Sequence, residues 1–183
     1  MRAEIISIGT ELLLGEITDT NATYIARALR DIGIDIYFRT TVGDNLDRIA
    51  SAIRLGLERA DVVITSGGLG PTVDDVTREA IAQATGRPLE FHQELLNQIA
   101  ERFRRFGSVL TENNRQQAYA PAGAVTIENP VGTAPIFILE DQAGTVIVLP
   151  GVPREMTYLM EHVVLPWLAA HNDSPSVIRA RVL

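Results

Sequence analysis

Residues 61–77, DVVITSGGLGPTVDDVT, set three glycines, a proline and two adjacent carboxylates directly behind an apolar, β-branched run. Gly67, Gly68 and Gly70 let the main chain approach a ligand with no Cβ in the way, and their N–H groups can face an anion. The N-terminus of a following helix would add the positive end of a dipole, so the chemistry indicated is phosphate binding. The spacing G-G-x-G is not the dinucleotide fingerprint G-x-G-x-x-G. Asp74 and Asp75 admit two readings. Acids in the first turn of a helix stabilise it against its dipole, and Thr72 with Asp75 fits a Thr-x-x-Asp capping pattern. A phosphate held by amides also brings a cation, and a carboxylate at the same strand end can hold Mg²⁺ directly or through water. Two neighbouring acids cannot both point one way, so one is expected to cap and the other to ligate.

Glu11, in IGTELLLG just past the first apolar run, is a further carboxylate; facing the glycine turn, it would serve a metal or activate a water. Asn21, Asn113, Asn114 and Asn129 are amides suited to base edges or ribose hydroxyls, and each equally suits a cap or turn. ENPVGTAP crowds Pro130, Gly132 and Pro135 into a rigid loop, with or without a ligand. Ser66 lies outside any G-x-S-x-G elbow and is no hydrolase nucleophile by motif.

Several chemistries are excluded by composition. With no cysteine there is no disulfide frame, thiolate metal site or Cys nucleophile. The three histidines, His92, His162 and His171, stand far apart, so any metal is expected to be a hard one held by oxygen. All sixteen basic residues are arginine, which removes Schiff-base lysine chemistry and the lysine of a Walker A loop. A net charge of −7 disfavours broad contact with nucleic acid. No segment approaches the roughly 20 apolar residues of a membrane span. MRAEIISIG reads as a first strand and not as a signal peptide, so the expected location is the cytoplasm, with no membrane partner.

The elements that must position these residues alternate from the first residue. AEIISIG, IDIYFRTTVG and DVVITS read as strands, the last apolar on both faces as in a parallel sheet. TNATYIARALRDIG carries Ile25, Ala28, Leu29 and Ile32 on one helical face, and NLDRIASAIRLGLERA repeats that phase behind Asn45 as N-cap. VDDVTREAIAQATG is a third helix, closed by Gly86 and Pro88. The order βαβαβα predicts a doubly wound layered fold. HQELLNQIAERFRRF and ENNRQQAY read as helices outside the main sheet; AVTIE, PIFILE and TVIVLP read as strands, the last two a hairpin turning at Gly144. A final helix over PREMTYLMEHVVLPWLAAH places Met156, Leu159, Met160, Val163 and Trp167 on a core-facing stripe. The expectation is one domain over 1–171, with 172–183 a linker and the first strand of a following domain.

Three strand-end segments, SIGTELLLGE, TSGGLGPTVDD and VLPGVPREM, stand where open parallel sheets bind ligands. Read with TTVGDN and NPVGTAPIF, they resemble, in order, the N-terminal domain of the CinA family of competence and damage-inducible proteins, itself similar to the molybdopterin-binding domains of MogA and MoeA. The resemblance runs from about residue 3 to about residue 168; Ile136 stands where the family commonly has glycine. It implies a three-layer α/β/α fold of the MogA/MoaB type with a mostly parallel sheet. It also implies a phosphorylated nucleotide or pterin as ligand and a homo-oligomer, dimer or trimer. In the CinA family the domain is associated with metal-dependent hydrolysis of ADP-ribose to AMP and ribose 5-phosphate; the alternative is a non-catalytic molybdopterin- or nucleotide-binding domain of a larger protein. The matching positions here are Thr10, Glu11, Asp44, Gly67, Gly68, Gly70, Thr72, Asp74, Asp75, Asn129, Gly132, Thr133, Pro150 and Gly151. On the hydrolase reading, Asp74 and Asp75 help to hold a divalent ion (Mg²⁺, Mn²⁺ or Co²⁺), Glu11 orients or deprotonates water, and the glycine amides hold the diphosphate.

Overall fold

Four mutually parallel strands form the centre of the molecule: β1 (Arg2–Ile8), β2 (Asp35–Val42), β3 (Val62–Ser66) and β8 (Gly144–Leu149). The sheet is completed by β7 (Ile136–Asp141) and β6 (Val125–Ile127), each antiparallel to its neighbour, in the order β2-β1-β3-β8-β7-β6. This computed structural model describes residues 1–105, 107 and 109–172. Every residue of β3 is buried, as a strand covered on both faces requires. The register runs without slip from Ala3 opposite Val62 to Ser7 opposite Ser66, and from Val62 opposite Thr145 to Ser66 opposite Leu149. The carboxyl ends of β1, β3 and β8 therefore finish level. β2 and β3 lie on opposite sides of β1, so the crossovers diverge there and leave a crevice at the ends of β1 and β3.

Helices cover both faces, giving the expected three-layer α/β/α arrangement. α2 (Thr20–Asp31) starts at Asp19, whose carboxylate accepts the Ala22 N–H, and α3 (Leu46–Arg59) starts at Asn45, which accepts from Arg48. Both bury the apolar stripes that the 3.6-residue periodicity marks. α4 (Thr77–Thr85) packs beside α3 and ends on Gly86 at φ 68°, in the left-handed region. It begins later than expected: Asp74 and Asp75 precede it, and its N-cap position, Val76, makes no side-chain capping bond. Between β1 and α2, a single turn, α1 (Thr10–Leu13), carries Glu11.

A lobe of α5 (Gln93–Arg105), a 3₁₀ helix (Glu112–Ala118) and a two-stranded ribbon of β4 (Leu89–Phe91) with β5 (Tyr119–Pro121) is inserted after α4. Leu95, Ile99 and Ala118 form its separate small core. The ribbon was not expected, because three-residue strands are too short to show an alternating pattern. The hairpin at Gly144 is present, with Asp141 paired to Gly144, and Ile136 opens β7 fully buried.

The last helix departs from its expected face. It runs as α6 (Pro153–Leu159), a π-helical turn (Met160–Val164) and α7 (Leu165–His171). Pro166 has no N–H for the carbonyl of His162, and the wider π-turn adds a residue to the helical phase. Met156, Leu159, Met160, Val164 and Leu168 are the residues fully buried, while Val163 and Trp167 are displaced to partial burial at the edge of the core. The expected linker and strand beyond Asn172 lie outside the described residues. Among those described, no helix is long and apolar enough to cross a membrane.

Where α2 packs against α6, the Tyr24 hydroxyl donates to Glu161 in the π-helical turn that follows. Burial, then this carboxylate, pushes Tyr24 up to about 12. For an acid with a raised folded value, the stabilising contribution is complete below its unfolded value and is lost as pH climbs through the folded one. Ultraviolet titration of the four tyrosines is expected to show one titrating near 12, absent in Tyr24→Phe. A set of four ordinary transitions would contradict this contact.

Candidate functional site

The chain leaves β1, β3 and β8 within backbone contact of itself. At Gly67 φ is +116°, and a Cβ there would overlap the carbonyl oxygen of Ile8; at Gly68 φ is +66°, and a Cβ would overlap the Thr77 hydroxyl. Gly151, just after β8, stands so close that a Cβ on it would lie 3.5 Å from the Gly67 Cα. The Gly67 N–H donates to the carbonyl of Leu149 at 3.1 Å, which ties β3 to β8. This corrects one expectation: the Gly67 amide is spent within the protein and does not face a ligand.

The carbonyls of the turn are held from behind. Thr77 donates its hydroxyl to Gly67 O at 2.9 Å and its N–H to Gly68 O at 3.2 Å. Leu69 O accepts from the Arg78 guanidinium at 2.8 Å and from Gln117 at 3.3 Å, while Gln116 reaches Gly70 O and Thr72 O. Thus α4 and the 3₁₀ helix of the inserted lobe bind the carbonyl side. Among the described residues, the N–H groups of Gly68, Leu69 and Gly70 donate to no protein acceptor.

Asp75 closes this turn. Its Oδ2 accepts the N–H of Thr72 at 2.9 Å and the Thr72 hydroxyl, and a Cβ at Gly70 would lie 2.5 Å from the same oxygen. The Thr72–Asp75 pair is real, but it closes a loop ahead of α4 and does not cap the helix.

In front of the turn lies a pocket of about 280 Å³. Gly67, Gly68, Thr72, Asp74 and Asp75 form one wall; Glu11, Asp44 and Gly151 reach it from the ends of β1, β2 and β8. Thr10 acts at one remove: its N–H and hydroxyl both donate to Asp44 Oδ2 at 2.8 Å, clasping the ends of β1 and β2. Pro150 is likewise structural here, its carbonyl accepting from Ser66. A second cavity of about 130 Å³ adjoins the first through Glu11 and Gly151 and is lined by Ser7, Asp19, Asn21 and Ser66. Asn21 donates to Ser66 and to Gly151 O.

Asn129, Gly132 and Thr133 line neither cavity. They border a crevice of about 10 Å³ beside Arg102. Asn129 donates to Glu155 Oε2 at 2.7 Å and accepts the Val131 N–H, and a Cβ at Gly132 would overlap that same carboxylate. Burial pushes the Glu155 carboxyl up, against the opposing pull of Asn129 and Arg102. Asn129 and Gly132 thus brace a loop against α6, and all three residues stand apart from the pocket at the glycine turn.

The donor set bears on a metal. Glu11, Asp44, Asp74 and Asp75 share one pocket, yet no three His, Cys, Asp or Glu side chains among the described residues gather into a ligand group. Asp44 and Asp75 each have one oxygen already engaged. Hard oxygen donors, few in number and beside a phosphate-sized pocket, fit a cation such as Mg²⁺, which commonly takes one or two carboxylates plus phosphate oxygens and water. They do not fit a preassembled cage. Sequence reasoning had no signal for Arg78, Gln116 or Gln117, whose function exists only through folding of the inserted lobe against the turn.

Fold and site together define a three-layer α/β domain of the MogA/MoaB type, with its crevice at the carboxyl ends of β1 and β3. The chain belongs to the family described as the probable molybdopterin binding domain, matched over residues 4–170. A protein CinA from Thermoplasma acidophilum, solved as a crystal structure, is 38% identical with a TM-score of 0.84, covering 92% of this chain and 97% of its own. A CinA-like protein of Dictyoglomus turgidum is 48% identical over all 183 residues, which span 44% of its length. The molybdopterin biosynthesis enzyme MoaB of Thermus thermophilus shares the fold at 21% identity, with a TM-score of 0.62 over 93% of this chain and 94% of its own.

Glycine substitutions separate the close approach from ordinary turn strain. Gly86→Ala, at φ 68° with nothing within 4 Å, is expected to cost about 1 kcal/mol. Gly67→Ala is expected to cost about 3 kcal/mol or more, because backbone must move. Urea unfolding measures both; equal losses would show that the Ile8 carbonyl leaves room for a Cβ at position 67.

Proposed function

We propose that this chain is the small-molecule-binding domain of a CinA-type protein and that it holds a phosphorylated pterin or nucleotide against the 67–72 turn. One observation carries the reading: the carbonyls of this turn are turned back and bonded, while the amides of Gly68, Leu69 and Gly70 have no protein acceptor among the described residues. Three such donors ahead of a helix N-terminus complement the oxygens of a phosphate.

A second, catalytic reading rests on a separate observation, the four carboxylates Glu11, Asp44, Asp74 and Asp75 around one pocket. They suit metal-dependent hydrolysis of ADP-ribose. A divalent ion held there by Asp74 and the free oxygen of Asp75 would neutralise charge on the phosphoryl oxygens. Glu11 accepts a proton from a water whose oxygen attacks one phosphorus, the bridging P–O bond breaks, and AMP and ribose 5-phosphate leave. The Gly68 to Gly70 amides stabilise charge on the other phosphate.

Calorimetric titration with AMP is expected to show binding that weakens at least about tenfold in Asp75→Asn, whose closing bonds to Thr72 are reduced. Unchanged affinity in that variant would remove the glycine turn as the site. Incubation with ADP-ribose, with and without Mg²⁺, Mn²⁺ or Co²⁺, decides between the readings. AMP formed only with metal supports hydrolysis; no AMP from a chain that still binds AMP leaves the binding domain alone.

A further inference from the structure

Arg78 is 1% exposed, among the most deeply buried large side chains of the protein, and has no ion-pair partner among the described residues. A guanidinium in that position is costly, since a buried charge loses its hydration and no carboxylate pairs with it directly. Its described bond is to a carbonyl, Leu69 O, at 2.8 Å. That carbonyl belongs to the same peptide unit as the N–H of Gly70. In a trans peptide the two groups point in opposite directions, so a donor on the oxygen sets and polarises the N–H on the far side. The Gly70 N–H has no protein acceptor among the described residues, and the next residue, Pro71, has no N–H at all. The Leu69–Gly70 peptide is therefore the last unit of the turn that can donate in this run.

We infer that Arg78 is a positioning residue for the ligand anion, acting through the Leu69–Gly70 peptide to aim the Gly70 N–H and to place a fixed positive charge behind it. The inference rests on the phosphate reading above. A chain without lysine thereby meets an anion with a cation that never touches it. Burial draws the Arg78 guanidinium down to about 10, with Glu79 and then Asp75 opposing the shift, so the group stays charged at neutral pH. Gln117 shares Leu69 O at 3.3 Å and, uncharged, fixes direction only. An anion on the amide face would add to the counter-charge that Glu79 and Asp75 supply without a direct ion pair.

The test separates charge from shape with inorganic phosphate as probe. Arg78→Gln keeps a donor for Leu69 O and loses the charge; Arg78→Lys keeps both. Phosphate affinity, measured by calorimetry, is expected to fall about tenfold in Arg78→Gln and to stay within about threefold of wild type in Arg78→Lys. The amide proton of Gly70 is expected to move downfield on phosphate addition in wild type and the lysine variant, and less in the glutamine variant. Equal phosphate affinity in wild type and Arg78→Gln overturns the inference while leaving the phosphate reading intact. Equal loss in both variants, tracking a fall in Tm, also overturns it, since that marks a purely structural arginine. A wild-type chain that is folded yet binds no phosphate overturns the phosphate reading itself.

Discussion

No side chain fits at position 67. The space where one would begin is taken by the Ile8 carbonyl, and the Gly67 N–H is bonded to Leu149. From this backbone packing the rest follows. Level register among β1, β3 and β8 brings three strand ends to one point, and each must depart at once or collide. β1 turns into the Glu11 helix, β3 into the glycine turn, β8 into α6. The crevice is what remains between three diverging chains, and its walls are polar because strand ends expose main-chain groups that no ladder can pair.

The inserted lobe gives the turn its handedness of function. A glycine-rich segment by itself is free to present either carbonyls or amides. Thr77 and Arg78 from α4, with Gln116 and Gln117 from the 3₁₀ helix, take the carbonyls, while among the described residues the amides of Gly68, Leu69 and Gly70 have no protein acceptor. Glu11 and Asp44 across the pocket, with Asp74 and Asp75 beside the turn, would repel a bare phosphate in the same pocket. A glycine turn and carboxylates around one pocket make sense together when anion and cation arrive as a pair.

What was legible in the sequence was what local period and local chemistry encode. Asn45 before a 3.6-residue stripe, the all-apolar VVITS, Gly144 between two strands and the run from Gly67 to Asp75 each carry their meaning within a few residues. What was not legible depends on contacts across tens of residues. Gln116 and Gln117 stand more than forty positions from the carbonyls they hold. Asn129 belongs to a recognisable motif, but only the approach of Glu155 shows that it braces a loop. The misplaced stripe on the last helix has a local cause, Pro166, whose effect on phase is one residue and invisible to a fixed 100° step.

The clamped carbonyls carry a thermodynamic consequence. A loop that must fold around its ligand spends part of the interaction energy on its own ordering and closes on its own timescale. Here bonds from Thr77, Arg78, Gln116 and Gln117 already fix the main chain of the turn, so little order is left for a ligand to impose. On the proposed phosphate reading, association with such a rigid surface would be governed by encounter and by removal of water, and selectivity by how well a ligand replaces the solvent on donors that do not move. A turn of this kind cannot adapt to a poor fit; it can only leave the misfit unpaired.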